Sequence, residues 1–401
     1  MAIKRPKLKF LRGNTYVIDQ SDSSNAGHPL RFTADSGATE YTHGVTITGT
    51  PGQAGATVTF NVPDSAPTNI MYYCSTHGLG MGNHLKTIND PNYVPSYWGG
   101  DRAIYAGGYG GSLRRNDISY LNMTTTNNSQ DFGDLTIGRN NLAAASSGTK
   151  VLIMGGQTGS TTINDTNNAV DYITVATPGN AIDFGELDTL TYGGNGCGNT
   201  SRAFHMMGYQ YGVTPPTVDT IQYFTPDTPG NSIDFGDVSG GRGRYGAACN
   251  SATRALTGGA DTTGLFPQNR IEYITIDTPG NSTNFGNLAS NSQEPNSTSD
   301  ETRGLWMGGY EGSQPGTDRI QYITMDTTGN STDFGNLTNN SYNRGSDQAT
   351  SNNVRGLLWG TGTNGVTNQY IIIQTTGNAT DLSEITETNH LNGTAGSGYA
   401  A

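Results

Sequence analysis

From residue 98 onward, short apolar runs alternate with polar, glycine-rich turns, and the alternation repeats with a period near fifty residues. The clearest unit is IEYITIDTPGNSTNFGNL at 271–288. It recurs as IQYITMDTTGNSTDFGNL at 320–337, IQYFTPDTPGNSIDFGDV at 221–238 and VDYITVATPGNAIDFGEL at 170–187. A looser copy, ISYLNMTTTNNSQDFGDL, lies at 118–135, and a degraded one, NQYIIIQTTGNATDLSEI, at 368–385. Tyr120, Tyr172, Tyr223, Tyr273 and Tyr322 are each followed twelve residues later by Phe132, Phe184, Phe235, Phe285 and Phe334, and in the sixth copy Tyr370 is followed by Leu382. A spacing kept while the linkers vary marks a structural core unit.

Upstream of each tyrosine lies an apolar strand ending in glycine: RAIYAGG, VLIMGG, RAFHMMG, RALTGG, RGLWMGG and RGLLWGT. Glycine permits the chain to stop and turn there. The T-P-G-N and T-T-G-N pieces between the Tyr and Phe elements are turn chemistry, so each unit reads strand, turn, strand. A further strand precedes the glycine strand, as in RNNLAAASS at 139–147 and GRYGAACNS at 243–251. Four strands per unit and six units predict a six-bladed β-propeller over 96–401. The first glycine strand, 102–108, lacks an innermost partner before it, whereas the C-terminal segment NHLNGTAGSGYAA at 389–401 is an orphan of that kind. That strand is therefore expected to close the ring. Ahead of the repeats, 1–95 forms a separate β-rich domain with strand candidates LKFLRGNTYVIDQ, GVTITG, TVTFNV and NIMYYC.

Composition fits an all-β chain. Apolar residues make up only 33% and charged residues 13%, while 57 residues are Gly, so polarity comes from Asn, Thr and Ser rather than from salt-bridged helices. The net charge of −12 argues against a nucleic-acid surface. The small basic cluster Lys4, Arg5, Lys7 and Lys9 reads as a solvated tail, with contact to an acidic neighbour in an assembly as the alternative. Cys74, Cys197 and Cys249 are too few to staple a chain of this size, which points to synthesis in a reducing cytoplasm. The N-terminus MAIKRPKLKFLRG has no apolar h-region, and no run approaches the ~20 apolar residues of a bilayer span. Neither the ordinary secretory route nor a membrane is expected.

The glycine doublet followed by a Tyr-bearing strand resembles the kelch family, without the Trp that follows the Tyr in that family. The S-x-D-F-G pieces at Ser129, Ser232 and Ser331 are similar to the first half of the Asp-box turn of sialidase-type propellers. Both resemblances imply a propeller and nothing catalytic. In the first domain, YYCSTHGLGMG at 72–82 follows His28 of GHPL at a distance of 46 residues from Cys74. That order resembles the cupredoxin family, a plastocyanin-like β-sandwich. The resemblance implies His28, Cys74 and His77 as copper ligands with Met81 axial, a donor set that suits both copper oxidation states. The plainer reading makes Cys74 a small buried hydrophobe at a strand end and Met81 a core filler. His43 and His84 are expected at the surface.

A cupredoxin-like domain beside a propeller raises the possibility of a copper enzyme such as a nitrous oxide reductase or a galactose oxidase, but those carry several histidines in the propeller. Here the propeller has only His205 and His390. No nucleotide-binding glycine loop, zinc signature or nucleophile elbow is present either, so no enzyme is expected. GNTYVIDQSDSSNAGHPLRF with YYCSTHGLGMG, and the Y-I-T-x-x-T-x-G-N-x-x-D-F-G-x-L repeats, resemble modules of virion structural proteins in tailed marine, cyanophage-like bacteriophages. The resemblance implies a tail, fibre or capsid-decoration component made in the host cytoplasm, with other virion proteins as partners and homo-oligomers within the particle. In that reading the first domain mounts the protein and the propeller is displayed to a host surface or glycan. Tyr109, Tyr209, Tyr211 and Tyr310, just after the glycine strands, are candidate glycan contacts, with ordinary loop packing as the alternative. The competing function is a copper electron-transfer protein fused to a binding propeller.

Overall fold

A computed structural model describes residues 8–34, 39–63, 66–67, 69–88, 101–110, 113–159, 165–239, 243–262, 266–311, 316–341, 349–361, 367–384 and 394–398. The protein is all-β, and among the described residues no helix is long and apolar enough to cross a membrane. It divides into two compact units, Met1–Ser96 and Tyr97–Ala401.

Unit 1 contains β1 (Leu8–Leu11), β2 (Thr15–Asp19), β3 (Leu30–Thr33), β4 (Val45–Thr48), β5 (Thr57–Asn61), β6 (Asn69–Cys74) and β7 (Gly78–Ile88). One sheet runs β1-β7-β6-β3, with β1 parallel to β7, and the other runs β2-β5-β4. LKFLRGNTYVIDQ reads as one strand in the sequence but forms two, in different sheets. Gly13 at φ +77 turns the chain, and its N–H donates to Val62 rather than continuing a ladder. Both sheets supply the single core, which includes Phe10, Phe32, Val58, Phe60, Ile70 and Leu85. The Phe10 and Tyr16 rings stack 3.9 Å apart across the β1–β2 turn. Of the basic cluster, Lys9 is exposed on β1, while Lys4, Arg5 and Lys7 lie outside the described residues.

Among the described residues, unit 2 contains six repeated antiparallel sheets, numbered I to VI in chain order of their second strands. Sheet II is representative: Ala143–Ser146, Lys150–Met154, Ala169–Thr174 and Ile182–Glu186 lie side by side in that order. Sheet I is assembled from both ends of the unit, because Thr394–Gly398 pairs with Arg102–Ala106. The first strand of each sheet packs against the first strand of the next, and Thr394–Gly398 packs against both Ala349–Ser351 and Ala143–Ser146. The succession therefore returns on itself.

The core of unit 2 is divided among the seams between sheets. Ile104, Ile118 and Phe132 of sheet I meet Val151, Ile153 and Ile173 of sheet II, and an equivalent cluster lies between each later pair. Ala103, Tyr105 and Met123 of sheet I meet Leu357 and Trp359 of sheet VI. Each second strand is therefore buried on both faces, which is why AIYA, VLIM and GLWM read as continuous apolar runs rather than alternating ones.

The repeat motif fastens these seams. Each Tyr–Phe pair meets edge to face, with ring centroids 5.7–5.9 Å apart, within its own sheet. Such contacts add about 0.5–1.5 kcal/mol each beyond burial. The Asn of each G-N turn reaches back to the preceding sheet, where its Oδ1 accepts a main-chain N–H: Asn180 from Asp134, Asn231 from Glu186, Asn281 from Asp237, Asn330 from Asn287 and Asn378 from Asn336. Asn128 completes the set by accepting from Glu384 of sheet VI. The motif's glycines also meet here: a Cβ on Gly133, at φ +148, would sit 2.4 Å from the carbonyl carbon of Gly179.

Candidate functional site

The residues of the candidate metal centre come together in unit 1. Leu30 of β3 lies opposite Cys74, the last residue of β6, and Ser75 donates to the Pro29 carbonyl, so the His28-Pro29 segment runs alongside the strand end. Pro29 restricts His28 to extended conformations. Behind it, the short 3₁₀ turn Ser23–Asn25 is capped by Asp22 and ends with Asn25 accepting from the His28 N–H. His77 lies in the turn from β6 to β7, which closes with Cys74 opposite Gly78 at φ +69.

Cys74 Sγ is 3.3 Å from His77 Nδ1 and 3.9 Å from His28 Nδ1. The two imidazoles stack with centroids 4.5 Å apart, and the three ligand atoms all lie within 4.8 Å of one another. Cys74 is buried, His28 half-buried and His77 exposed. Metal bonds of about 2.3 Å to sulfur and 2.0 Å to imidazole can span up to roughly 4.3 Å between a sulfur and a nitrogen, and both Sγ–Nδ1 separations fall within that reach. Soft sulfur with two imidazoles is a donor set that copper favours. Met81 lies half-buried in β7, the strand that leaves the His77 turn, while His43 and His84 are exposed.

Gln20 supports this centre and was not singled out in the sequence. Its buried side chain donates through Nε2 to the His28 carbonyl and accepts through Oε1 from the Leu30 N–H, bracketing the main chain of this candidate ligand on both sides. A glutamine after a strand carries no sequence signal of that role.

In unit 2 the structure brings Tyr209 and Tyr211 together and places Tyr109 and Tyr310 elsewhere. All four are half-buried. Tyr109, in the short strand Tyr109–Gly110 that pairs with Leu113–Arg114, is covered by the Arg114 guanidinium at 5.0 Å from the ring centroid, and Tyr310 pairs in a bridge with Gln293. Tyr209 and Tyr211 pack around buried Tyr192, with centroids 5.2 and 5.0 Å from it. Arg244 lies 4.5 Å from both the Tyr209 and Tyr245 ring centroids, donates to Tyr192 Oη and pairs with Asp261 at 3.1 Å. Burial raises the Tyr192 and Tyr245 phenols above their ordinary pKa, so both remain neutral, and it raises Asp261 against the opposing pull of Arg244. The sequence names Tyr209 and Tyr211 but gives no hint of Tyr192, Arg244, Tyr245 or Asp261. His205 is fully buried in its strand, and His390 lies outside the described residues.

No protein-family model matches the sequence, and no curated protein matches it. Among solved structures, one described as "Structure of YjhT" is similar to this chain over 70% of the present sequence and 94% of its own, with 11% identity and a TM-score of 0.56. That share is several times the length of unit 1 and so lies largely in unit 2; at this identity it shows a common fold and no more.

Proposed function

We propose that the chain is a non-enzymatic virion structural protein, with unit 1 as a cupredoxin-like mounting module and unit 2 as a six-bladed, kelch-like propeller closed by the C-terminal strand and displayed for attachment. The observation that carries this reading is the role of the repeat motif: its Gly and Asn tie each sheet to the next, and its Tyr and Phe pair within a sheet. The segments after the glycine strands differ in length and sequence from copy to copy. A rigid ring with variable loops suits display, and the virion assignment itself rests on the sequence resemblance. In a phage lysate containing the chain, it should co-sediment with intact particles through a density gradient. A chain that stays in the soluble fraction would overturn the virion assignment.

A second reading, a copper electron-transfer protein, is favoured by the approach of Cys74 Sγ to His28 Nδ1 and His77 Nδ1. Copper bound there would supply one-electron exchange. Unit 1 would hold it through the thiolate and two imidazoles, with Met81 as the further sulfur donor. Visible absorption after Cu(II) addition and desalting tests this, beside Cys74→Ala. An intense thiolate-to-copper band absent from the variant supports copper binding; a colourless, copper-free parent rejects it.

A further inference from the structure

The tyrosine cluster of unit 2 sits on a collar that links consecutive sheets. Asn141, Gly193, Tyr245 and Glu294 occupy equivalent places ahead of four first strands, and all have positive φ, between +56 and +66. Each is tied to the next by a main-chain hydrogen bond: Gly193 donates to Asn141, Tyr245 to Gly193 and Glu294 to Tyr245. A Cβ on Gly193 would lie 2.5 Å from Tyr245 Cε1, so glycine is what lets that ring lie across the collar. Just inside, Asn195 is fully buried with neither amide atom paired to another protein group, and its Nδ2 would be 2.9 Å from a Cβ on Gly246. Asp261 is 1% exposed, and its Oδ1 is likewise unpaired. Buried polar atoms without a protein partner are completed by ordered water or by the polar groups of a bound molecule.

We propose that this cluster binds an uncharged saccharide unit, a proposal that rests on reading unit 2 as a display module. Tyr211 stacks on Tyr192 yet stays half-buried, which leaves the residue partly open to solvent, where a pyranose can lay its C–H face. Arg244 offers guanidinium N–H donors, Asp261 and Glu294 offer carboxylate acceptors, and the neutral phenols do both. Arg244 is already balanced by Asp261, Glu294 adds negative charge beside Tyr245, and the whole chain carries −12. Acidic sugars are disfavoured by that balance, so the ligand class is the neutral hexose.

The test is binding of the full chain to immobilised neutral oligosaccharides of glucose, galactose and mannose, against sialylated and uronic acid-containing ones. Neutral glycans should bind, Tyr211→Ala should weaken binding roughly tenfold, and Tyr211→Trp should retain it. A melting curve unchanged from the parent shows that Tyr211→Ala is folded, and Arg244→Lys gives a second variant expected to weaken binding. Preference for acidic glycans, binding indifferent to both variants, or no binding to any glycan would overturn the proposal. Particle sedimentation reads the virion assignment separately, so either can fail alone.

Discussion

The guanidinium of Arg355, in sheet VI, donates through Nη1 to the carbonyl of Met123, in sheet I, across 232 positions of sequence. The same guanidinium lies 4.5 Å from the centroid of Tyr370 in its own sheet. Each sheet has an equivalent. Arg102, Arg202, Arg254 and Arg303 lie over Tyr120, Tyr223, Tyr273 and Tyr322 and donate to Val175, Ile276, Met325 and Ile373 of the following sheet. Lys150 lies over Tyr172 and donates to Pro226. One cation per repeat thus joins a tyrosine of its own sheet to the backbone of the next.

Arg355→Ala removes both contacts at the seam between sheets VI and I. It should destabilise unit 2 by about 2–4 kcal/mol, the sum of one cation–π contact and one charge-assisted hydrogen bond. Arg355→Lys should recover part of the loss, because an ammonium can sit over the ring as Lys150 does. Urea unfolding of the three proteins checks the order. Equal stability of Arg355→Ala and the parent would show that the Arg355 contacts add nothing to the seam between sheets VI and I.

The glycines of the seam between sheets I and II should respond unequally. Gly133 is at φ +148 with the Gly179 carbonyl carbon 2.4 Å from a built Cβ, whereas a Cβ on Gly179 meets nothing within 4 Å. Gly133→Ala is expected to cost about 2 kcal/mol or more, and Gly179→Ala less than about 0.5 kcal/mol. Thermal melts of the two variants provide the comparison, and a reversed order would contradict the close approach.

Gln20 holds the backbone on either side of His28. Gln20→Ala should lower Cu(II) affinity roughly tenfold, in the range seen when outer partners of metal ligands are removed. Competition with a chromogenic chelator measures it. Copper affinity equal to the parent's would show that Pro29 and the 3₁₀ turn suffice to place the imidazole.

Burial lowers His205 from 6.5 to about 4. The folded state therefore keeps it neutral while the unfolded chain takes up a proton below about pH 6.5. Its contribution is fully present above pH 6.5 and is lost as pH falls towards 4, reaching about 3 kcal/mol. His205→Asn, which cannot titrate, should lose stability less steeply across that window in pH-dependent melts. Parallel slopes would place His205 in contact with solvent.

The sequence by itself determined the repeat, its strand–turn–strand grammar and the Tyr–Phe spacing, because those depend on residues near one another along the chain and recur in register. It also marked His28, Cys74, His77 and Met81, since His, Cys and Met are rare residue types here. The sequence also showed Arg102, Arg202, Arg254, Arg303 and Arg355 heading their strands without showing why. Each bonds a carbonyl some 70 residues on, or 232 back, and no local pattern encodes a partner in another sheet.

Only the tertiary structure decided that the G-N turn caps the preceding sheet rather than merely reversing its own, that Gln20 brackets His28, and that Tyr192, Arg244, Tyr245 and Asp261 join Tyr209 and Tyr211. The physical reason is the same in each case. Packing sheet against sheet brings together side chains separated by a repeat or more, and their desolvation, pairing and ring contacts exist only once the neighbouring sheet is in place.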